Sequence, residues 1–162
     1  MTHESRLLRE LRALIHSRRV AALGTLNADQ AAQPFVSMVP YAVWPQGAAL
    51  VVHLSGLAAH TRNLQVHPQA SLLVMAGEAV GEPVHALQRV TLEVAAETPE
   101  RDSDAWQAAR DTYLARFPEA EPMTELGDFR FVLLRPGGAR QVAGFGAARS
   151  VDADEIRRVL AE

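Results

Sequence analysis

Apolar residues at the start of the chain recur with a helical period. Leu7, Leu8, Leu11, Leu14 and Ile15 form one stripe among arginines, which predicts an amphipathic helix over residues 3–17. From Val20 the period shortens. Val20–Leu26 reads as a strand that ends at the turn cluster Asn27-Ala28-Asp29, and Phe35–Trp44 as a second strand. Pro40 marks this second strand as an edge or a bulge, because proline donates nothing to a ladder. Pro45-Gln46-Gly47 predicts a tight turn into the return strand Ala48–Leu54. Leu57–Val66 is predicted helical and stops at His67-Pro68. Ser71–Met75 and Arg89–Ala96 are further strands, joined by a loop from Gly77. Ser103–Phe117 predicts a second clear helix, capped by Ser103 and ended by Pro118, with Trp106, Ala109, Tyr113, Leu114 and Phe117 on its buried stripe. Phe129–Leu134 and Arg140–Phe145 suggest a final hairpin around Pro136-Gly137-Gly138, and Asp152 with Glu155 a capping box for a short last helix. Six or seven hairpin-connected strands with inserted helices describe an antiparallel barrel or α+β sheet.

Composition narrows what such a fold can do. The 162 residues suit one domain, here residues 1–162. All 16 basic residues are arginine, and cysteine is absent. The chain therefore has no lysine for a Schiff base or a P-loop, and no thiol nucleophile, disulfide or cysteine metal site. A formal charge of -3 argues against broad nucleic-acid binding or attraction to anionic membranes. Apolar runs fall far short of the roughly 20 residues that span a bilayer, and the charged N-terminus lacks a signal-peptide core. A cytoplasmic protein is expected.

The stretch Val51–Leu64 carries the most chemistry. A strand ends at Ser55, Gly56 turns the chain, and a helix opens bearing His60, Thr61, Arg62 and Asn63. Such a junction presents unpaired N–H groups at the positive end of the helix dipole, and hydroxyls and cations beside it make a phosphate site without lysine. His53, His60 and His67 recur every seven residues. No carboxylate accompanies them, and the spacing does not converge across a strand–helix boundary, so no metal site is assigned. Arg89 opens an apolar strand, where a cation needs an anionic partner: Glu93, Glu97 or a ligand phosphate. Gly144-Phe145-Gly146 is too short for a dinucleotide fingerprint, and no nucleophile elbow occurs.

In order and spacing, Pro34–Pro40, Leu54-Ser55, His60-Thr61-Arg62-Asn63-Leu64, His67-Pro68, Arg89-Val90-Thr91-Leu92 and Gly138–Ala147 resemble the FMN-binding split-barrel superfamily related to pyridoxamine 5'-phosphate oxidase. Within it they are most similar to the haem-utilisation branch. The resemblance implies a mainly β (α+β) fold: a six-stranded antiparallel split barrel with flanking helices, paired as a homodimer with FMN at the subunit interface. It places Ser37, Met38 and Val39 along the flavin, Ser55, His60, Thr61 and Asn63 near the ribityl phosphate, and Arg89 on that phosphate from an adjacent strand. Arg140–Phe145 lies on the flavin or substrate side without an assigned role. The implied activity is that of an FMN-dependent oxidoreductase of unknown substrate, with no catalytic side chain assigned. The alternatives are a haem-binding or haem-degrading protein, with haem in place of FMN, and a non-catalytic flavin carrier.

Two departures from the family pattern matter. Many members have lysine where His60 stands, so any phosphate grip here depends on a group that ordinarily titrates near about 6.5. Haem-degrading members use a histidine near the C-terminus as iron ligand, whereas the last histidine here is His85.

Overall fold

The computed structural model describes residues 4–161. The chain begins with helix α1 (Arg6–Ser17), whose first turn is capped by the Ser5 hydroxyl accepting from the Leu8 amide. The predicted helix therefore starts later than expected, and position 3 lies outside the described residues. Strands β1 (Val20–Leu26), β2 (Pro34–Pro40), β3 (Ala42–Trp44) and β4 (Ala49–Ser55) follow, then helix α2 (Ala59–Val66), β5 (Gln69–Met75) and β6 (Arg89–Glu97). Helices α3 (Asp104–Arg116) and α4 (Glu121–Thr124) precede β7 (Phe129–Val142), β8 (Ala148–Asp152) and α5 (Ala153–Leu160). All strand pairs are antiparallel, in the order β2-β1-β5-β6-β7-β4-β3, with β8 added on β7.

This order explains the curl. β2 and β3 stand at opposite ends of the strand path, yet only Tyr41 separates them in sequence. The sheet must therefore wrap until its ends meet, giving a half-open barrel. Tyr41 fixes the crossing: its amide donates to the Arg19 carbonyl at 3.1 Å, and its buried hydroxyl donates to the Ile15 carbonyl at 2.6 Å. The predicted strand over residues 35–44 is thus two strands, broken where the chain changes partners beyond Pro40.

Two further expectations change. The sheet has eight strands rather than six, because β3 and β8 extend it. The hairpin expected around Pro136-Gly137-Gly138 does not form. β7 runs straight through these residues, and the β6–β7 register shifts between Glu93 and Val94, which pair with Gly138 and Pro136. The extra residue, Gly137, is taken up as a bulge. The real reversal comes later, where Gly144 and Gly146 adopt positive φ values of 134° and 71°.

Burial alternates along the strands and divides the core in two. One side of the sheet meets α1 and α5 through Leu11, Ile15, Leu23, Leu72, Leu92, Ile156 and Leu160. The other side of β3, β4 and β7 meets α3 through Val51, Phe131, Leu133, Trp106 and Tyr113. β4 is buried on both faces for this reason. The caps expected at Ser103 and Asp152 are present, although Glu155 turns to Arg149 instead of closing the box.

Candidate functional site

β4 delivers the chain to the start of α2 through a tight turn. The Gly56 amide donates to the Asp128 carbonyl at 2.5 Å, and a Cβ on Gly56 would stand 2.7 Å from that oxygen, so the position requires glycine. The Thr61 hydroxyl donates to the Ser55 carbonyl at 2.6 Å and stitches the first helical turn to the strand end. Ala58 occupies the N-cap and offers no side-chain acceptor; the Thr61 amide donates to its carbonyl at 3.1 Å, and the Ala59 and His60 amides have no acceptor among the described residues.

His60 lies in this turn, with Nδ1 2.9 Å from the Ser37 hydroxyl on β2. Burial lowers its pKa from the ordinary histidine value, which favours the neutral ring near pH 7. In the tautomer in which Ser37 donates to Nδ1, the proton of the neutral ring sits on Nε2 and is available to a ligand oxygen; in the other, Nδ1 donates to Ser37 and Nε2 accepts.

The other residues expected around a phosphate divide by role. Asn63 is buried; its Oδ1 accepts from the Ala28 amide at 2.9 Å and its Nδ2 donates to Thr25 at 3.0 Å. Thr61 is also buried, and so is Val39, expected along the flavin but lying among the core residues. These three side chains hold the frame of the site. Arg62 pairs with Asp29 through two bonds of 2.9 and 2.8 Å at the surface. Asp128, which sequence spacing could not bring here, receives a 3.3 Å bond from the Ser55 hydroxyl and places a carboxylate beside that end of the site.

Arg89 stands elsewhere. Strand pairing aligns Ser37 with Leu23, Leu72 and Leu92, which all face the core. Arg89 and Met38 fall on the opposite, outer face, in register with Met75 and Ala22. Arg89 donates to the Leu87 carbonyl at 2.8 Å and has no carboxylate partner among the described residues. Within one chain, His60 and Arg89 therefore lie on different faces of the sheet, β2 and β6 being separated by β1 and β5.

That outer face is apolar. Val20, Leu26, Val36, Met38 and Met75 are exposed across β1, β2 and β5, Val36 and Met38 by about two thirds of their surface. Two clefts of about 190 and 330 Å³ indent it; Met38, Val20 and Met75 line the smaller, and Gly24, Leu26 and Pro34 the larger. Beyond Arg89, exposed Val84 and Phe145 sit on neighbouring turns, together with the exposed His85.

His53 and His67 do not join His60. His53 is buried against the rings of Tyr113, Phe129 and Phe131, at centroid distances of 5.7, 5.1 and 4.5 Å. Burial, assisted by Arg101, pushes its pKa down to about 4. His67 is the C-cap of α2.

Residues 7–143 match the pyridoxamine 5'-phosphate oxidase family. The chain is 30% identical over 154 residues to the haem oxygenase HutZ of Vibrio cholerae, covering 94% of this chain and 85% of that one. It is also 30% identical over 139 residues to the chloroplastic non-canonical haem oxygenase HOZ of Arabidopsis thaliana, covering 86% of this chain but 41% of HOZ. A haem-binding protein from Mycobacterium smegmatis superposes with a TM-score of 0.84 at 32% identity, over 98% of this chain and 62% of that protein. The chain thus spans less than two thirds of the length of two of these relatives.

Proposed function

The chain belongs to the pyridoxamine 5'-phosphate oxidase family, and from that premise we propose that it is a haem-binding protein of haem utilisation, acting as a homodimer with the cofactor held at the subunit interface. The observation that carries this reading is Arg89: a guanidinium without a carboxylate partner among the described residues, set beside Met75 on a broad exposed apolar face. Monomeric proteins seldom leave such a patch uncovered, and a second copy of the same face is its natural cover.

Haem fits this surface. It is a flat apolar macrocycle with two carboxylates, and the outer face offers apolar side chains with a cation at their edge. Arg89 would take a propionate, through the bidentate geometry that suits guanidinium and carboxylate. Exposed His85, on the turn leading to β6, is the histidine available on that side. Bound haem would supply an iron redox centre to a chain that has no thiol of its own. The relatives described as haem oxygenases and haem-binding proteins support the same reading.

Titration of the purified protein with haem should give a saturable Soret band, and Arg89→Gln should weaken binding at least tenfold. Light scattering should return twice the mass of the chain. A Soret change no different from that of haem in buffer, or an Arg89→Gln curve that overlays the wild type, overturns the assignment.

A second reading rests on a different observation, the uncapped start of α2 with His60 held by Ser37. In it the cofactor is FMN, with Ser55, His60, Thr61 and Asn63 forming the phosphate end and Ser37, Met38 and Val39 lying along the flavin. Arg89 comes from the partner subunit, and the activity is that of a flavin-dependent oxidoreductase. Quenching of flavin fluorescence by the protein, with no response to haem, selects it.

A further inference from the structure

We propose that the cleft between the end of α1, the start of β3 and the last turns of α3 is a binding site for the oxyanion group of a small molecule, held by Arg18 and Arg116. The cleft has a volume of about 260 Å³, and Arg18, Arg116, Tyr41, His16 and Thr112 line it with no acidic residue among the lining.

The charges of this cleft are left uncompensated by the protein. Arg19 reaches Glu119 at 3.5 Å, whereas its neighbour Arg18 has no carboxylate partner among the described residues, and its Nε is buried without an acceptor. Burying a guanidinium nitrogen without a partner is costly, and natural structures rarely leave one so. Arg116 comes from the opposite wall. Its Nη2 donates to the Ser17 and Arg18 carbonyls at 3.3 and 3.2 Å, which pins the group at the end of α1. That contact accounts for one nitrogen. Nη1 and Nε of Arg116 have no acceptor among the described residues.

Tyr41 lines the cleft together with the two arginines. Its proton is committed to the Ile15 carbonyl, and both arginines pull against the burial that pushes the phenol's pKa up. Neither arginine has a carboxylate partner among the described residues, so an anion entering the cleft meets two unneutralised cations. Thr112, one turn before Arg116 on α3, adds a hydroxyl with no partner among the described residues. Two planar forks and a hydroxyl are the donor set for the oxygens of a phosphate or carboxylate. The site is separate from the cofactor surface proposed above, although Arg18 also borders the outer-face cleft that Met38 lines.

The test uses the full chain without haem or flavin. The arginine Nε–Hε resonances are followed by NMR during titration with inorganic phosphate and, separately, with acetate, at ionic strength held constant with chloride. Saturable shifts of Arg18 and Arg116 with either anion support the site, and the anion that saturates first tells phosphate from carboxylate. Arg18→Gln touches no backbone carbonyl and should weaken the binding at least tenfold. Arg62→Gln and Arg89→Gln should leave it within twofold. Shifts that match those in chloride alone, or an Arg18→Gln curve that overlays the wild type, overturn the proposal.

Discussion

Replacing Asn63 with alanine separates a residue that contacts a ligand from one that holds the site's frame. By its motif Asn63 belongs near a bound phosphate, yet the fold uses both ends of its side chain. Oδ1 accepts from the Ala28 amide at 2.9 Å, Nδ2 donates to the buried Thr25 hydroxyl at 3.0 Å, and the residue is 3% exposed. The substitution removes two hydrogen bonds, each with a net value of about 1 kcal/mol. The void left in a packed region adds to the loss, for a total of about 2–3 kcal/mol. With a urea m-value of roughly 2 kcal/mol/M, the unfolding midpoint should fall by about 1–1.5 M. Urea unfolding followed by tryptophan fluorescence measures this directly. Cofactor affinity, measured at a urea-free concentration where the variant is folded, should change less than threefold. A variant as stable as the wild type but binding its cofactor more than tenfold more weakly would refute the reasoning and return Asn63 to the ligand shell.

Other outcomes follow from single contacts. His53, whose pKa falls from 6.5 to about 4 on folding, binds its proton more readily in the unfolded chain. The wild type should therefore lose up to roughly 3 kcal/mol of stability as pH drops from 6.5 to 4, and His53→Phe should flatten this part of a Tm-against-pH profile. Gly47→Ala would set a Cβ 2.2 Å from the Trp44 ring, at the β3–β4 turn. It should cost about 1–3 kcal/mol by overpacking, read as a lower Tm. If FMN is the ligand, its affinity should stay level from pH 7 to pH 8, where burial keeps His60 neutral, and rise as pH falls below 6.5 and His60 gains its proton beside the phosphate. His60→Lys should remove that slope in a fluorescence titration; a slope that persists with lysine refutes the role.

Local structure was largely legible in the chain. Ser103 before the stripe Trp106–Ala109–Tyr113 and Asp152 before Ile156 announce helices because capping and the 3.6-residue period act within one turn. His67-Pro68 ends α2 for an equally local reason. The failures were at long range. Pro136-Gly137-Gly138 has the composition of a turn, but pairing with β6 on one side and β8 on the other keeps it extended and absorbs the extra residue as a bulge. Phe35–Trp44 has the composition of one strand, but Tyr41 anchors to α1 and sends the next residues to the far edge of the sheet.

The candidate site divides along the same line. The sequence by itself determined the family, the residue types at the α2 junction, and the restriction of every cationic anion contact to arginine and histidine side chains, since lysine is absent. Which of those residues can meet one ligand was decided only by tertiary structure. Strand parity sets Ser37, which meets His60 of α2, toward the interior and Met38 and Arg89 on the outer face, and one step of register would have reversed both strands. The β4–β7 pairing, which sets Ser55 opposite Phe129, brings Asp128 to Ser55, and the packing of α3 brings Arg116 to the end of α1, approaches that span 73 and 98–99 residues of chain. Such contacts arise from which strands pair and which helices pack together, and a local sequence pattern carries no record of that choice.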